Sequence, residues 1–339
     1  MKICICGGGN LGHVMAGFIA SREADEVRML TRRPERWQPT ITIDTPDGAA
    51  LTGLLARVSS RPADVVAGCD AVILCLPGWS IGSTLDEIRP YLDSGTAVGS
   101  VVSSTGFYFE ARKRLPAGTQ LFGFQRVPFI ARTTEYGRRA SLLGYKKELC
   151  MGVEGIKETE SFRQEMERML ATPVRLAGNM YEVSLTNSNP LLHPARLYSL
   201  WSGWREGTVY SRVPMFYEEW DEQAARLYIA MDGELQALLG TLPVRRGCIP
   251  TVLDYYESSD DASLAAKLRS IKAFKGIPAP MAEHGRGYVP DFNSRYFTED
   301  FPYGLGIIHR LAHDKGVPVP VIDKVYEWGM SFVRQDGRR

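Results

Sequence analysis

These 339 residues contain no run of about 18 consecutive apolar side chains, the length a bilayer-spanning helix needs, so no membrane span is expected. Charge of one sign is also missing. Forty Lys and Arg stand against 39 Asp and Glu, a net charge of +1. That balance argues against broad binding to nucleic acid or to a membrane surface, and leaves room for a local basic pocket. Cysteine is sparse: six residues, at 4, 6, 69, 75, 150 and 248, with no C-x-x-C pair and no Cys/His set at zinc-ligand spacing. The thiols read as buried and reduced, and no metal is expected. The chain opens directly into KICIC, without the charged start and longer apolar stretch of a secretory leader. The expected location is cytoplasmic.

What is present is ordinary globular composition, 44% hydrophobic and 23% charged, in a chain whose length suits two domains. The first half alternates short apolar runs with helical spacing. Runs at 2–6, 26–30, 71–76 and 96–102 read as strands, and 10–21 and 81–92 as helices. Such alternation predicts an α/β Rossmann domain, a doubly wound parallel sheet with helices on both faces. Residues 141–153 read as a hairpin or paired strands, and 158–171 as a surface helix. From about 190 onward helical spacing takes over, at 219–242, 262–273, 304–315 and 321–334, punctuated by Pro and Gly. The expected division is therefore a dinucleotide-binding domain at 1–178 and an all-α substrate domain at 179–339, with a frayed tail.

Gly7, Gly9 and Gly12 fit G-x-G-x-x-G, with Asn10 and Leu11 between the last two. The pattern follows a strand and opens a helix, the context that gives it meaning. Gly7 serves the tight turn, Gly9 the close approach of a pyrophosphate, and Gly12 the packing of helix on strand. An NAD site would place a carboxylate about 20 residues on, to bind the ribose 2′-hydroxyl. Thr31, Arg32 and Arg33 stand there instead. Guanidinium groups match a 2′-phosphate, so NADP(H) is expected in preference to NAD(H). Which of Arg32 and Arg33 binds it stays open. Leu76-Pro77-Gly78-Trp79-Ser80 ends another strand and forms a candidate cofactor floor, with Trp79 on a ring face or in the core. Ser103-Ser104-Thr105-Gly106 after the next strand is a candidate for the nicotinamide end.

Five histidines are available, at 13, 193, 284, 309 and 313. His13 reads as a surface residue of the first helix. His309 and His313 share a helix face, but without a third ligand in the sequence nearby they read as surface side chains. His193 differs, because it follows Asn189-Pro190-Leu191-Leu192 at the junction of the expected domains. A second polar cluster, Arg295 to Leu305, holds a cation, two acids and aromatics ahead of a helix; the plain alternative is acids serving a helix N-terminus.

Three stretches together resemble the opine (octopine/nopaline) dehydrogenase family: the glycine loop with Asn10, the Asn-x-x-x-His-Pro segment from 189, and the Arg-x-x-x-x-Asp-x-x-x-Gly-Leu segment from 295. Weaker echoes lie at 128–144, 255–256 and 272–280. The resemblance spans nearly the whole chain. It implies a Rossmann domain followed by an all-helical one, and reductive condensation of an amino acid with a 2-oxo acid at the expense of NAD(P)H. It further implies His193 as acid/base, Asp300 as its partner, Arg295 as a substrate-carboxylate anchor and Asn189 as a polar substrate contact. The chemistry suits those types. Histidine moves protons near neutral pH, a carboxylate fixes its tautomer, and an arginine fork grips a planar carboxylate. Two other readings remain: a ketopantoate-reductase-like enzyme acting on a simple oxo acid, and a non-catalytic NADP sensor. The amino acid, the oxo acid and the oligomeric state, a homodimer included, are not legible.

Overall fold

The computed structural model describes residues 1–186 and 189–333. It divides into two compact units, Met1–Ser184 and Leu185–Arg339. The expected division after Gly178 falls just before a short helix whose Met180 and Val183 belong to the first unit's core.

Strands in the first unit are β1 (Lys2–Cys6), β2 (Glu26–Leu30), β3 (Thr40–Asp44), β4 (Ala50–Leu54), β5 (Arg57–Ser59), β6 (Ala71–Leu74), β7 (Ala97–Ser100), β8 (Gln120–Phe124), β9 (Phe129–Glu135), β10 (Arg139–Tyr145), β11 (Leu149–Glu154) and β12 (Val174–Leu176). Its helices are α1 (Asn10–Ala20), α2 (Pro62–Val65), α3 (Gly78–Ile88), α4 (Phe107–Arg114), α5 (Thr159–Leu170) and α6 (Met180–Ser184). The main sheet runs β12-β11-β8-β7-β6-β1-β2-β5. Its six strands from β5 to β8 are parallel and keep the doubly wound order, and β11 joins β8 antiparallel. The continuous apolar runs of β1 and β6 are buried along nearly their whole length, as a sheet covered on both faces requires.

A second sheet, β4-β3-β10-β9, had no counterpart in the sequence reading. The hairpin expected at 141–153 is corrected accordingly. β10 pairs with β9 in the small sheet, whereas β11 pairs with β8 in the large one. The turn residues Lys146 to Glu148 mark where the chain changes sheets, a step no local pattern announces. Between the two sheets lies α1, buried on nearly every side. An all-round apolar helix has only that option. A Cβ at Gly17 would collide with Ile41 and Ile43 of β3, so the helix approaches the small sheet closely.

The second unit is mostly helical: α7 (Asn189–Trp201), α8 (Glu222–Leu239), α9 (Val252–Tyr255), α10 (Asp261–Ser270), α11 (Arg295–Thr298), α12 (Gly306–Asp314) and α13 (Pro320–Met330). One hairpin, β13 (Met281–His284) with β14 (Gly287–Pro290), interrupts the helices. A π-turn, Phe301–Leu305, leads into α12. Asn187, Ser188 and the tail expected to fray lie outside the described residues. Among the described residues no helix is long and apolar enough to cross a membrane.

Candidate active site

In the first unit the strand order reverses between β1 and β6, the position where doubly wound sheets bind ligands. The glycine loop follows β1, and Leu76 and Pro77 follow β6. Gly7 has φ +119°, a backbone conformation that side chains rarely adopt, and its N–H donates to Leu30 O at 3.0 Å. A Cβ at Gly12 would run into the Gly7 carbonyl. At Gly9, by contrast, a Cβ would meet nothing within 4 Å, so this side of the loop is open to approach. Gly9 caps α1 without a side-chain acceptor, and the first turn carries no acidic residue. The leading N–H groups and the positive helix end therefore suit a phosphate.

Asn10 and His13 tie this loop to the β9–β10 hairpin. Thr133 N–H donates to Asn10 Oδ1 at 3.0 Å. His13 lies 2.8 Å from Gly9 O through Nδ1, and Gly137 N–H donates to Nε2 at 2.8 Å. Since Nε2 must accept, Nδ1 carries the proton and the ring is neutral. His13 is fully buried and stacked on Trp37 with centroids 4.3 Å apart. The surface reading of His13 is thus overturned: the small sheet, invisible in the sequence, covers that face of α1. Burial pushes its pKa below the ordinary histidine value, with the Gly9 hydrogen bond partly opposing.

Thr31 is buried at the end of β2, its N–H bonded to Ser59 O at 3.0 Å. Arg32 and Arg33 are exposed. The Arg32 guanidinium lies over the Trp79 ring at 5.8 Å, and Trp79 is 52% exposed, which excludes the core alternative for that side chain. A third cation missed in the sequence, Arg36, sits over Tyr136 at 4.5 Å. Leu76 and Pro77 are half-buried, as is Leu11. Ser103 is buried and its hydroxyl pairs with Ser184 at 2.7 Å, while Thr105 Oγ1 donates to Val102 O. Those two hydroxyls serve the local fold.

In the second unit the two polar segments meet. His193 Nδ1 lies 2.7 Å from Asp300 Oδ2 across 107 residues. Its Nε2 lies 2.8 Å from the Tyr217 hydroxyl. With Nδ1–H donating to the carboxylate, Nε2 accepts from Tyr217. Both the imidazole and Tyr217 are buried, and the Tyr296 ring edge packs on the imidazole at 4.7 Å. Burial raises the Tyr217 phenol's pKa well above its ordinary value, so it stays protonated. Arg295 is exposed on α11, and Asn189 is exposed at the start of α7.

The surroundings explain how the dyad is held. Pro194 lies inside α7 and brings no N–H to the ladder. Gly304 lets the π-turn that Asp300 caps press against α7: a Cβ there would lie 3.3 Å from Pro190 Cα. Arg196, 1% exposed, donates to Phe216 O at 2.9 Å and Glu219 O at 2.7 Å, pinning the loop that carries Tyr217. Tyr217 also stacks on Phe274 with centroids 4.1 Å apart. Sequence reading missed Tyr217, Arg196 and Tyr296. His313 is exposed and His309 half-buried on α12, and α13 brings Asp323 against both.

Residues 176–333 match the family model for NAD/NADP octopine/nopaline dehydrogenase, alpha-helical domain, and residues 3–135 match that for ketopantoate reductase PanE/ApbA. Octopine dehydrogenase of Mizuhopecten yessoensis is 31% identical over 98% of this chain and 90% of its own length. Tauropine dehydrogenase of Arabella iricolor is 27% identical over 98% and 92%. The structure of octopine dehydrogenase with NADH and L-arginine superposes with a TM-score of 0.88 at 28% identity, covering 98% of this chain and 89% of that one. With a doubly wound nucleotide-binding unit, a helical unit carrying a His–Asp pair, and relatives of this closeness along nearly its full length, the chain belongs to the octopine/opine dehydrogenase family.

Proposed function

We propose that this protein is an NADP(H)-preferring opine dehydrogenase that joins the amine of an amino acid to a 2-oxo acid and reduces the imine. The observation that carries the reading is the His193–Asp300 hydrogen bond at 2.7 Å, with Nε2 held ready by Tyr217. Gly7, Gly9, Asn10, Leu11 and Gly12 would hold the pyrophosphate. Thr31, Arg32 and Arg33 would take the ribose end, and Leu76 and Pro77 the floor. When bound, the reduced nicotinamide supplies the hydride.

His193 manages the protons. The amino acid enters as an ammonium and must lose a proton before it attacks the carbonyl, and Nε2 is the basic atom for that. The imidazolium so formed is stabilised by Asp300 on the other nitrogen. After attack the added nitrogen passes a second proton to the former carbonyl oxygen; the imidazolium returns the first proton to the resulting hydroxyl, which leaves as water and gives the protonated imine. Arg295 is exposed and free of ion-pair partners among the described residues, as a group awaiting a substrate carboxylate should be. Asn189 supplies a further polar contact.

The cofactor preference rests on charge. Three exposed arginines follow β2 where an NAD site would place an acid. Six free cysteines fit a reducing, cytoplasmic setting. The functional boundary we favour remains 1–178 and 179–339, near the start of the helical-domain match. The experiment is NADPH oxidation followed by absorbance with amine and oxo acid supplied separately and together. Oxidation that requires both supports opine synthesis. Oxidation with an oxo acid alone restores the ketopantoate-reductase alternative, and binding without turnover restores the sensor.

A further inference from the structure

The helix pair α12–α13 carries a cluster that the reaction does not use. His309 and His313, one turn apart on α12, both direct Nε2 at Asp323 Oδ1 of α13, at 3.2 Å and 2.8 Å. One ligand atom from each residue lies within 4.8 Å of the others. We propose that these three side chains form a binding site for a divalent first-row transition ion, zinc above all, clipping α12 to α13.

The donors decide the ion. Two imidazole nitrogens and one carboxylate oxygen suit zinc, nickel or cobalt, whereas magnesium and calcium demand oxygen cages. Zinc bonds of about 2.0–2.2 Å place tetrahedral ligands roughly 3.4 Å apart, close to the spacings already present. The fourth position is left to water. His313 lies in the last turn of α12, where the helix dipole favours a cation. Glu327 adds negative field at His309, and Arg310 opposes it.

One feature limits the affinity. His309 Nδ1 is buried without a hydrogen-bond partner among the described residues. A metal on Nε2 moves the ring proton to Nδ1 and leaves it unpaired.

The test is calorimetric titration of the EDTA-treated, tag-free full chain with zinc chloride, and separately with magnesium chloride. The expected result is one zinc per chain at micromolar affinity and no magnesium heat. Asp323→Asn and His313→Ala should each weaken zinc at least tenfold. The His313 side chain is 56% exposed, so its replacement leaves folding intact. Zinc should raise the melting temperature of the parent chain and not that of His313→Ala. Absence of binding below millimolar zinc, or zinc binding unchanged in both variants, overturns the site.

Discussion

At the scale of single residues, His193 is constrained from both ring nitrogens, by Asp300 and by Tyr217. If Nε2 is the atom that takes the amine's proton, Tyr217 must either relay that proton or yield its place to substrate. A hydrogen bond to a charged partner is worth about 1.5–3 kcal/mol, so Tyr217→Phe should lower kcat roughly ten- to a hundredfold with NADPH affinity unchanged. Stopped-flow turnover checks this, and an unaltered kcat removes Tyr217 from the proton path. Arg32 and Arg33 act elsewhere, on cofactor choice. Their joint replacement by Ala should weaken NADPH far more than NADH in fluorescence titrations. An unchanged preference would contradict the 2′-phosphate assignment.

At the scale of elements, the dyad depends on how closely the π-turn lies against α7. Gly304→Val would push the turn from Pro190, and overpacking of this kind costs about 1–3 kcal/mol. Urea unfolding should register that loss, and turnover should fall because Asp300 moves from His193. A variant of full stability and activity would show that the contact tolerates a branched side chain. The elements themselves were unevenly legible. Buried parallel strands such as β1 and β6 announced themselves as unbroken apolar runs, and α5 by its spacing. Strands β3, β4 and β9 did not, because their half-exposed patterns resemble loop and the β3–β10 pairing that joins the two hairpins into one sheet spans nearly a hundred residues. His13 was misread for that reason. His193 and Asp300 were found through motif likeness, since 107 residues separate them. Tyr217 had no such signal, its role being set by the loop that Arg196 pins.

At the scale of the whole molecule, buried histidines set a pH limit. Burial depresses the His13 pKa. Its neutral form therefore contributes stability above the unfolded value of about 6.5, and that contribution is lost as pH falls through the lower folded value. His309 shifts in the same direction, while Asp25, where burial is outweighed by Arg168 and the N-terminal amine, and Glu219, held low by Arg212, act only in more acid solution. Melting temperature should decline as pH drops below about 6.5, and His13→Gln should flatten the decline. An identical slope in the variant would contradict the assignment. The central claim is that the buried imidazole of the helical unit does the proton chemistry of imine formation. The direct measurement is turnover and NADPH affinity of His193→Ala side by side. The account predicts turnover lower by about two to four powers of ten with NADPH affinity nearly intact. Turnover equal to that of the parent chain would contradict it.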